Sequence, residues 1–247
     1  MDRLAYIAMS GASQTLRAQA TNANNLANVN TQGFKADIDA FAALPVYGPG
    51  QASRAYTEAQ GKGADFSAGP LMTTGRDLDI AVKGEGFIAV EAPDGRTAYT
   101  RRGDLHLTAN GQLQTGQGDP VMGNQGPIAI PPAEKIDIHA DGSISIIPVG
   151  GQANAPAMVD RIRLVNPDQA DLTKGGDGRF SLRQGADEPQ ADAAVQVASG
   201  VLEGSNVNAV EAMVNMIEYG RMFETQSRMI RTADENGEAA DRLMRLG

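Results

Sequence analysis

The chain has 247 residues and is acidic, with a formal net charge of −9 at pH 7. This charge argues against nucleic acid as the main partner, because phosphate contacts require a basic surface. The chain contains no cysteine, which excludes thiolate chemistry, cysteine-ligated metals and disulfides. Aromatic residues make up only 4% of the chain and tryptophan is absent. We therefore expect a thin core, unlike that of a compact globular enzyme.

The sequence shows no signal for membrane insertion or for a cleaved leader. No apolar run approaches the ~18 residues that a membrane-spanning helix needs. The opening stretch "MDRLAYIAMSGASQ" lacks the basic start, apolar core and cleavage site of a secretory signal peptide. We therefore expect no direct insertion in a membrane, and any export must leave this end uncleaved.

The positions of the prolines divide the chain. All twelve prolines lie between Pro45 and Pro189, and proline in a helix interior breaks the helix. The proline-free ends are therefore the natural helical segments. We predict an N-terminal helix over 1–33, an extended arm over 34–75, a β-rich domain over 76–200 and a C-terminal helix over 201–247.

The N-terminal segment has helical periodicity, beginning after Asp2 as a possible N-cap. Its apolar positions recur at steps of three and four residues and are rich in alanine and glycine, so a partner helix can approach closely. Gly33 is expected to supply the left-handed residue that ends the helix. Phe34 would then fold back onto the last helical turn.

The C-terminal segment begins with a capping-box pattern, in which Asn208 precedes Glu211 by three residues. An apolar seam with a spacing of about 3.5 residues follows; it comprises Val207, Val210, Val214 and Ile217. Helices with such narrow apolar stripes are marginal on their own. We therefore predict that the two terminal helices pair with each other and with copies of themselves.

The middle of the chain has the alternation of β-strands. The stretch "DLDIAVKGEGFIAVEA" alternates apolar residues, and "PDGRT" after it is a hairpin signal. Residues 45–75 show no clear period and are interpreted as the arm. The predicted fold class is α+β: paired, coiled-coil-like N- and C-terminal helices, an inserted all-β antiparallel middle domain and an extended arm.

No candidate catalytic, cofactor or metal site emerges from the sequence. The stretch "KGEGFIA" is followed by a strand-like run, whereas a dinucleotide-binding loop needs a helix there. His106 and His139 lie in separate strand-like segments without metal-ligand spacing. The sequence offers no set of nucleophile, general base and oxyanion donor that could form a catalytic site. We expect no cofactor, no metal and no enzymatic activity.

Five asparagines fall within nine residues of the N-terminal helix, at positions 22, 24, 25, 28 and 30. Each costs roughly 0.5 kcal/mol relative to alanine in a helix interior. They are either a solvated, weak helix face or amides that fix register in a helical seam. In the second reading, Asn24, Asn25 and Asn28 line one side, and Asn206 and Asn208 mark the start of the other helix.

Three stretches resemble the family of flagellar rod and hook proteins. "NNLANVNTQGFKA" is similar to the N-terminal signature of that family, residues 73–123 to its shared β-domain stretch and residues 200–230 to its C-terminal block. Together they cover roughly half of the chain in the expected order. The opening "MDRLAYIAMSGA" and the chain length are most similar to proximal-rod members, and distal-rod members are the alternative.

The resemblance implies a structural subunit that leaves through the flagellar type III export apparatus and stacks helically into a hollow rod. It implies a location in the basal body, across the periplasm, with other copies, neighbouring rod proteins and the export apparatus as partners. The alternative from another class is a soluble carbohydrate- or peptide-binding β-module with helical tails. The expected assembly residues are Asn24, Asn25, Leu26, Asn28, Gly33, Phe34, Asn206, Val207, Asn208, Val210, Val214 and Ile217.

Overall fold

A computed structural model describes residues 2–45, 55–149 and 156–245; residues 46–54 of the predicted arm lie outside this part. The element order is α1 (Asp2–Ala27), β1 (Asp37–Pro45), β2 (Ala55–Ala64), β3 (Leu71–Thr73), β4 (Ile80–Lys83), β5 (Phe87–Glu91), β6 (Thr97–Thr100), β7 (Leu105–Leu107), β8 (Leu113–Thr115), β9 (Ala133–Ile138), β10 (Ser143–Pro148), β11 (Ala157–Arg161), β12 (Leu164–Val165), a 3-10 helix (Gln169–Asp171), β13 (Leu172–Lys174), β14 (Phe180–Leu182), β15 (Gln196–Ser199), β16 (Val201–Glu203) and α2 (Ala209–Arg245). The α+β class predicted from the sequence is confirmed, with helices at both ends and antiparallel strands between them.

The chain divides into two compact units. The helical unit comprises Met1–Asn28, Asp37–Ala64 and Val207–Gly247. The β unit comprises Val29–Ala36 and Asp65–Asn206. Each unit is therefore built from segments that are distant in the sequence.

In the helical unit, α1 contacts α2 and the two helices run antiparallel. Asn22 Nδ2 donates to the backbone oxygen of Ala212 at 2.7 Å, and Thr15 Oγ1 donates to Gln226 Oε1 at 3.2 Å. Strands β1 and β2 form an antiparallel pair from Asp37↔Ala64 to Pro45↔Ala55. This pair occupies a segment that the sequence predicted as an arm. The extended arm is therefore not confirmed. The strands were missed in the sequence because the many small residues of this segment hide the alternation of apolar and polar positions.

Helix α1 ends at Ala27, earlier than the predicted end at Gly33. Gly33 does have a left-handed φ of 66°, but it belongs to the β unit. A Cβ at Gly33 would lie 2.4 Å from the carbonyl carbon of Arg101. The glycine is required for this close backbone approach rather than for a helix cap, and the predicted cap was wrong. Phe34 is likewise buried in the β unit, with Lys174 Nζ 3.8 Å from its ring centroid.

The β unit is built from antiparallel pairs. A five-stranded sheet has the order β12-β5-β6-β14-β13, a three-stranded sheet has the order β11-β10-β9, and two-stranded pairs join β15 to β4, β16 to β3 and β7 to β8. The predicted hairpin is present: Ala92 N donates to Arg96 O, and Gly95 takes a positive φ of 77°. One continuous cluster of fully buried aliphatic side chains fills the interior, including Ile80, Ile88, Val90, Leu105, Leu113, Val121, Ile128 and Ile144.

Candidate assembly surface

Small and polar residues make the contact between α1 and α2. The buried positions of α1 are Ala8, Thr15, Ala18 and Asn22, and those of α2 are Ala212 and Ala233. A Cβ added at Gly11 would lie 2.8 Å from Gln226 Nε2. Such residues let two helices approach closely while removing little apolar surface from water. The helix pair therefore buries few of its own large side chains.

Large apolar side chains point to solvent instead. On α2 the exposed fractions are 72% for Val210, 54% for Met213, 49% for Val214 and 59% for Ile217. With 3.6 residues per turn, these four residues share one side of the helix, away from Ala212. We call them the outer apolar face of α2. Helix α1 also exposes large side chains, at Tyr6, Met9 and Leu16. Contiguous exposed apolar patches mark interaction sites.

The outer apolar face contains three of the four predicted seam residues. Val210, Val214 and Ile217 belong to it, and Met213 widens it. Val207 precedes the first residue of α2 and is half-buried. The intrachain contact with α1 uses another side of α2, that of Ala212. Contact of the seam with other subunits remains a prediction.

The asparagines of α1 do not form one common surface. Asn25 is used within the chain: its Nδ2 donates to Asp37 O at 2.9 Å, and its Oδ1 accepts from Asp37 N at 2.8 Å. Asn28, which follows the last residue of α1, donates through its Nδ2 to the backbone oxygen of Asn24 at 2.9 Å. Asn24 is exposed and Leu26 is half-buried. The amide of Asn25 therefore fixes the start of β1 beside α1.

The remaining predicted polar residues also have partners inside the chain. Asn208 Oδ1 accepts from the backbone N–H groups of Val210 and Glu211, at 3.1 and 3.3 Å. The predicted N-cap of α2 is thus confirmed. Asn206 lies in the β unit, where its Oδ1 accepts from Ala36 N at 2.7 Å. Its role there differs from that of Asn208, although only two positions separate them.

Sequence reasoning missed a buried ion cluster in the β unit. Glu203 accepts from Lys35 Nζ at 2.6 Å and from Arg101 Nη1 at 3.1 Å, and these three side chains are almost completely buried. Burial lowers the pKa of Lys35, against the opposing effect of its hydrogen bond to Glu203. No sequence signal could have found this cluster, because its members lie on separate segments. Reasoning also missed Asn22, whose amide is buried in the helix pair.

Among the described residues, no group of three or more His, Asp or Glu side chains is placed to hold a metal ion. Within the same ranges, no helix is long and apolar enough to cross a membrane. The notable surface feature of the helical unit is instead an apolar one.

Comparison with known proteins identifies the family. Residues 6–35 match the family described as flagella basal body rod protein, residues 81–146 match the flagellar hook protein FlgE/F/G D1 domain, and residues 198–243 match the flagellar basal body rod FlgEFG protein C-terminal family. The flagellar basal-body rod protein FlgF of Escherichia coli K12 is 44% identical over the full length of both chains. FlgF of Salmonella typhimurium is 43% identical, also over both full lengths.

A rod protein with another name is less similar. FlgG of Bacillus subtilis is 34% identical over 86% of this chain and 88% of its own length. The chain belongs to the flagellar basal-body rod protein family and is a structural rod subunit rather than an enzyme. Its location is accordingly the flagellar basal body.

Proposed function

We propose that this chain is a proximal-rod subunit that assembles through the outer apolar face of α2. Its neighbours are other copies of itself and related rod proteins, whose terminal helices cover this face. A distal-rod position is the alternative, supported by the similarity to FlgG. The outer apolar face argues against a soluble β-type binding module, which would gain nothing from exposing valine and isoleucine.

The observation that carries the proposal is that α2 exposes large apolar side chains, whereas its contact with α1 is made by small residues. Burying a valine, isoleucine or methionine side chain completely contributes about 1.5–3 kcal/mol. Val210, Met213, Val214 and Ile217 are 49–72% exposed in the single chain. Covering this face by a neighbouring helix would therefore release free energy that the isolated chain cannot gain.

The spacing of the inward residues supports coiled-coil-like pairing of α1 with α2. On α1 the buried or half-buried positions Ala8, Gly11, Thr15, Ala18 and Asn22 alternate steps of three and four. On α2 the same alternation runs through Ala212, Met216, Tyr219, Phe223, Gln226, Ile230 and Ala233, all buried or half-buried except Phe223, which is 37% exposed. This is the repeat that keeps one helix edge against its partner over several turns.

The proposal includes a route and a mechanical role. The chain would be exported by the flagellar type III apparatus without a cleaved signal peptide, and would stack helically into a hollow rod across the periplasm. The rod would carry torque and let later export substrates pass through its lumen. These properties come from the family resemblance, and the absence of cysteine is compatible with export of an unfolded chain.

The variant Ile217→Asp tests the proposal. A carboxylate in a covered apolar interface would be buried without a partner, which is strongly unfavourable. We expect the variant to be exported but not incorporated into purified basal bodies, with assembly halted before the hook. Thr232→Asp is the matched control, because it adds the same charge at an exposed position of α2 far from the outer apolar face. Normal incorporation and swimming of Ile217→Asp would contradict the proposal.

A further inference from the structure

The chain passes between the helical unit and the β unit four times. The crossings follow Asn28, Ala36, Ala64 and Asn206. On the side of the β unit, the residues at these crossings are therefore Val29, Ala36, Asp65 and Asn206. Force that is transmitted along the chain from the helical unit enters the β unit at these four covalent connections.

One side-chain amide connects three of the four crossing residues. Asn206 Oδ1 accepts from Ala36 N at 2.7 Å, and Asn206 Nδ2 donates to Asp65 O at 2.9 Å. Asp65 N in turn donates to Ala36 O at 2.7 Å. The three crossing residues therefore form one hydrogen-bonded group, in which the amide of Asn206 uses both its oxygen and its nitrogen.

Glu203, three residues before Asn206 in the sequence, forms a second set of hydrogen bonds next to this group. Its Oε1 accepts from Lys35 Nζ at 2.6 Å and from Gly69 N at 3.0 Å. Lys35 Nζ also donates to Ser67 O at 2.7 Å. Both Lys35 and Glu203 are almost fully buried. Charge-assisted hydrogen bonds away from water are the strong ones, so residues 35, 67, 69 and 203 are held at one point.

Close backbone packing surrounds the same point. A Cβ at Gly69 would lie 2.1 Å from Gly204 O, and Gly33 N donates to Glu203 O at 2.8 Å. The segments before Ala36, after Asp65 and before Asn206 therefore lie side by side. Their hydrogen bonds join residues that are far apart in the sequence.

We propose that Lys35, Glu203 and Asn206 form a junction clamp that distributes mechanical load over three chain crossings. Without the amide of Asn206, the crossing at Asn206 would lose its side-chain hydrogen bonds to Ala36 and Asp65, which would stay bonded only to each other. With it, the three connections move as one body, and force enters the β unit through all of them together. Asn206 is a positioning residue in this device. The inference rests on the proposed function of the chain as a rod subunit that carries torque.

Amide hydrogen exchange on the purified full-length chain tests the clamp without any rod. In Asn206→Leu, the N–H of Ala36 loses its acceptor and the O of Asp65 loses its donor. We expect exchange of the Ala36 amide to become at least about tenfold faster, while the amides of Ile88 and Val90 in the core remain unchanged. Asn124→Leu is the control, an exposed asparagine of the same unit. Asn206→Ala removes the same bonds without added bulk, should the leucine disturb folding.

Swimming in a viscous medium tests the mechanical role. We expect Asn206→Leu cells to assemble rods in normal number but to show more broken basal bodies than Asn124→Leu cells when the load is high. Unchanged exchange at Ala36 would overturn the clamp. Faster exchange without additional breakage under load would overturn the load-sharing role. Absence of the wild-type chain from purified rods would overturn the proposed function, and the load-sharing role with it, while the exchange result would still decide whether the clamp exists.

Discussion

The β unit and the helix pair use their large apolar side chains in opposite ways. In the β unit, Ile88, Leu105 and Ile144 are completely buried in one cluster. In the helix pair, alanine, threonine and asparagine are buried, while Val210 and Ile217 are exposed. The difference teaches that one unit buries its large apolar side chains within the chain, whereas the other leaves them exposed, as the proposed contact with neighbours requires. In a monomer, the β unit therefore has a buried apolar core, whereas the helix pair has exposed apolar side chains.

The largest expected effect comes from matched isoleucine substitutions in the two units. Ile144 has no exposed surface and Ile217 is 59% exposed. We expect Ile144→Ala to lower the free energy of unfolding by about 2–5 kcal/mol, because it leaves a cavity. Ile217→Ala should change it by no more than about 0.5 kcal/mol in the isolated chain. Urea unfolding followed by near-UV circular dichroism, to which the buried Tyr99 of the β unit contributes, measures this.

Incorporation into basal bodies should reverse the order of these two variants. Ile217→Ala removes apolar surface from the contact with neighbours, whereas Ile144→Ala leaves that surface intact once the chain has folded. Equal loss of stability in both variants, or normal incorporation of Ile217→Ala beside impaired incorporation of Ile144→Ala, would remove the distinction between the two units.

A smaller effect is expected from neighbouring asparagines of α1. Asn25→Ala leaves two backbone groups of Asp37 without their amide partner, and each stranded group costs about 1–3 kcal/mol when buried. Since this site is only partly buried, we expect a loss of about 1 kcal/mol, seen as faster exchange of the Asp37 N–H. Asn24→Ala is the control; it should gain about 0.5 kcal/mol of helix propensity. Equal exchange rates of the Asp37 N–H in both variants would show that Asn25 does not stabilise this site and is only a solvated residue of the helix.

The smallest effect concerns an exposed turn of the β unit. Ser143 donates to Asp141 Oδ1 through its hydroxyl at 2.6 Å and through its backbone N–H at 3.1 Å. The hydroxyl and then the backbone hydrogen bond hold the pKa of Asp141 below its ordinary value. Ser143→Ala should therefore raise the pKa of Asp141, as measured by titrating its carboxyl carbon by NMR.

The sign of the accompanying stability change follows from this depressed pKa. The unfolded chain binds the proton more readily than the folded chain, so the contribution is present above the unfolded pKa of about 3.9. It is lost as the pH falls through the lower pKa of the folded state. Because the contact is local, the change should be the same in the isolated chain and in the assembled rod. An unchanged Asp141 pKa in Ser143→Ala would show that the backbone N–H alone accounts for the shift.

Local patterns in the sequence determined much of the fold. The proline-free ends predicted the two helices, the asparagine three residues before Glu211 predicted the cap of α2, and "PDGRT" predicted the hairpin between β5 and β6. The outer apolar face was also visible as a seam at Val210, Val214 and Ile217. Each of these signals acts between residues a few positions apart, and a periodic or capping rule can therefore detect it.

Only the tertiary structure decided where distant segments meet. Lys35 and Glu203 are 168 residues apart, and nothing in the composition of either segment indicates their pairing. Gly33 looked like a helix cap because a left-handed glycine is common there, yet its conformation serves the close approach to Arg101. The buried side of α2 could not be predicted either. Alanine carries too weak an apolar signal to show that Ala212 and Ala233, and not valine and isoleucine, face α1.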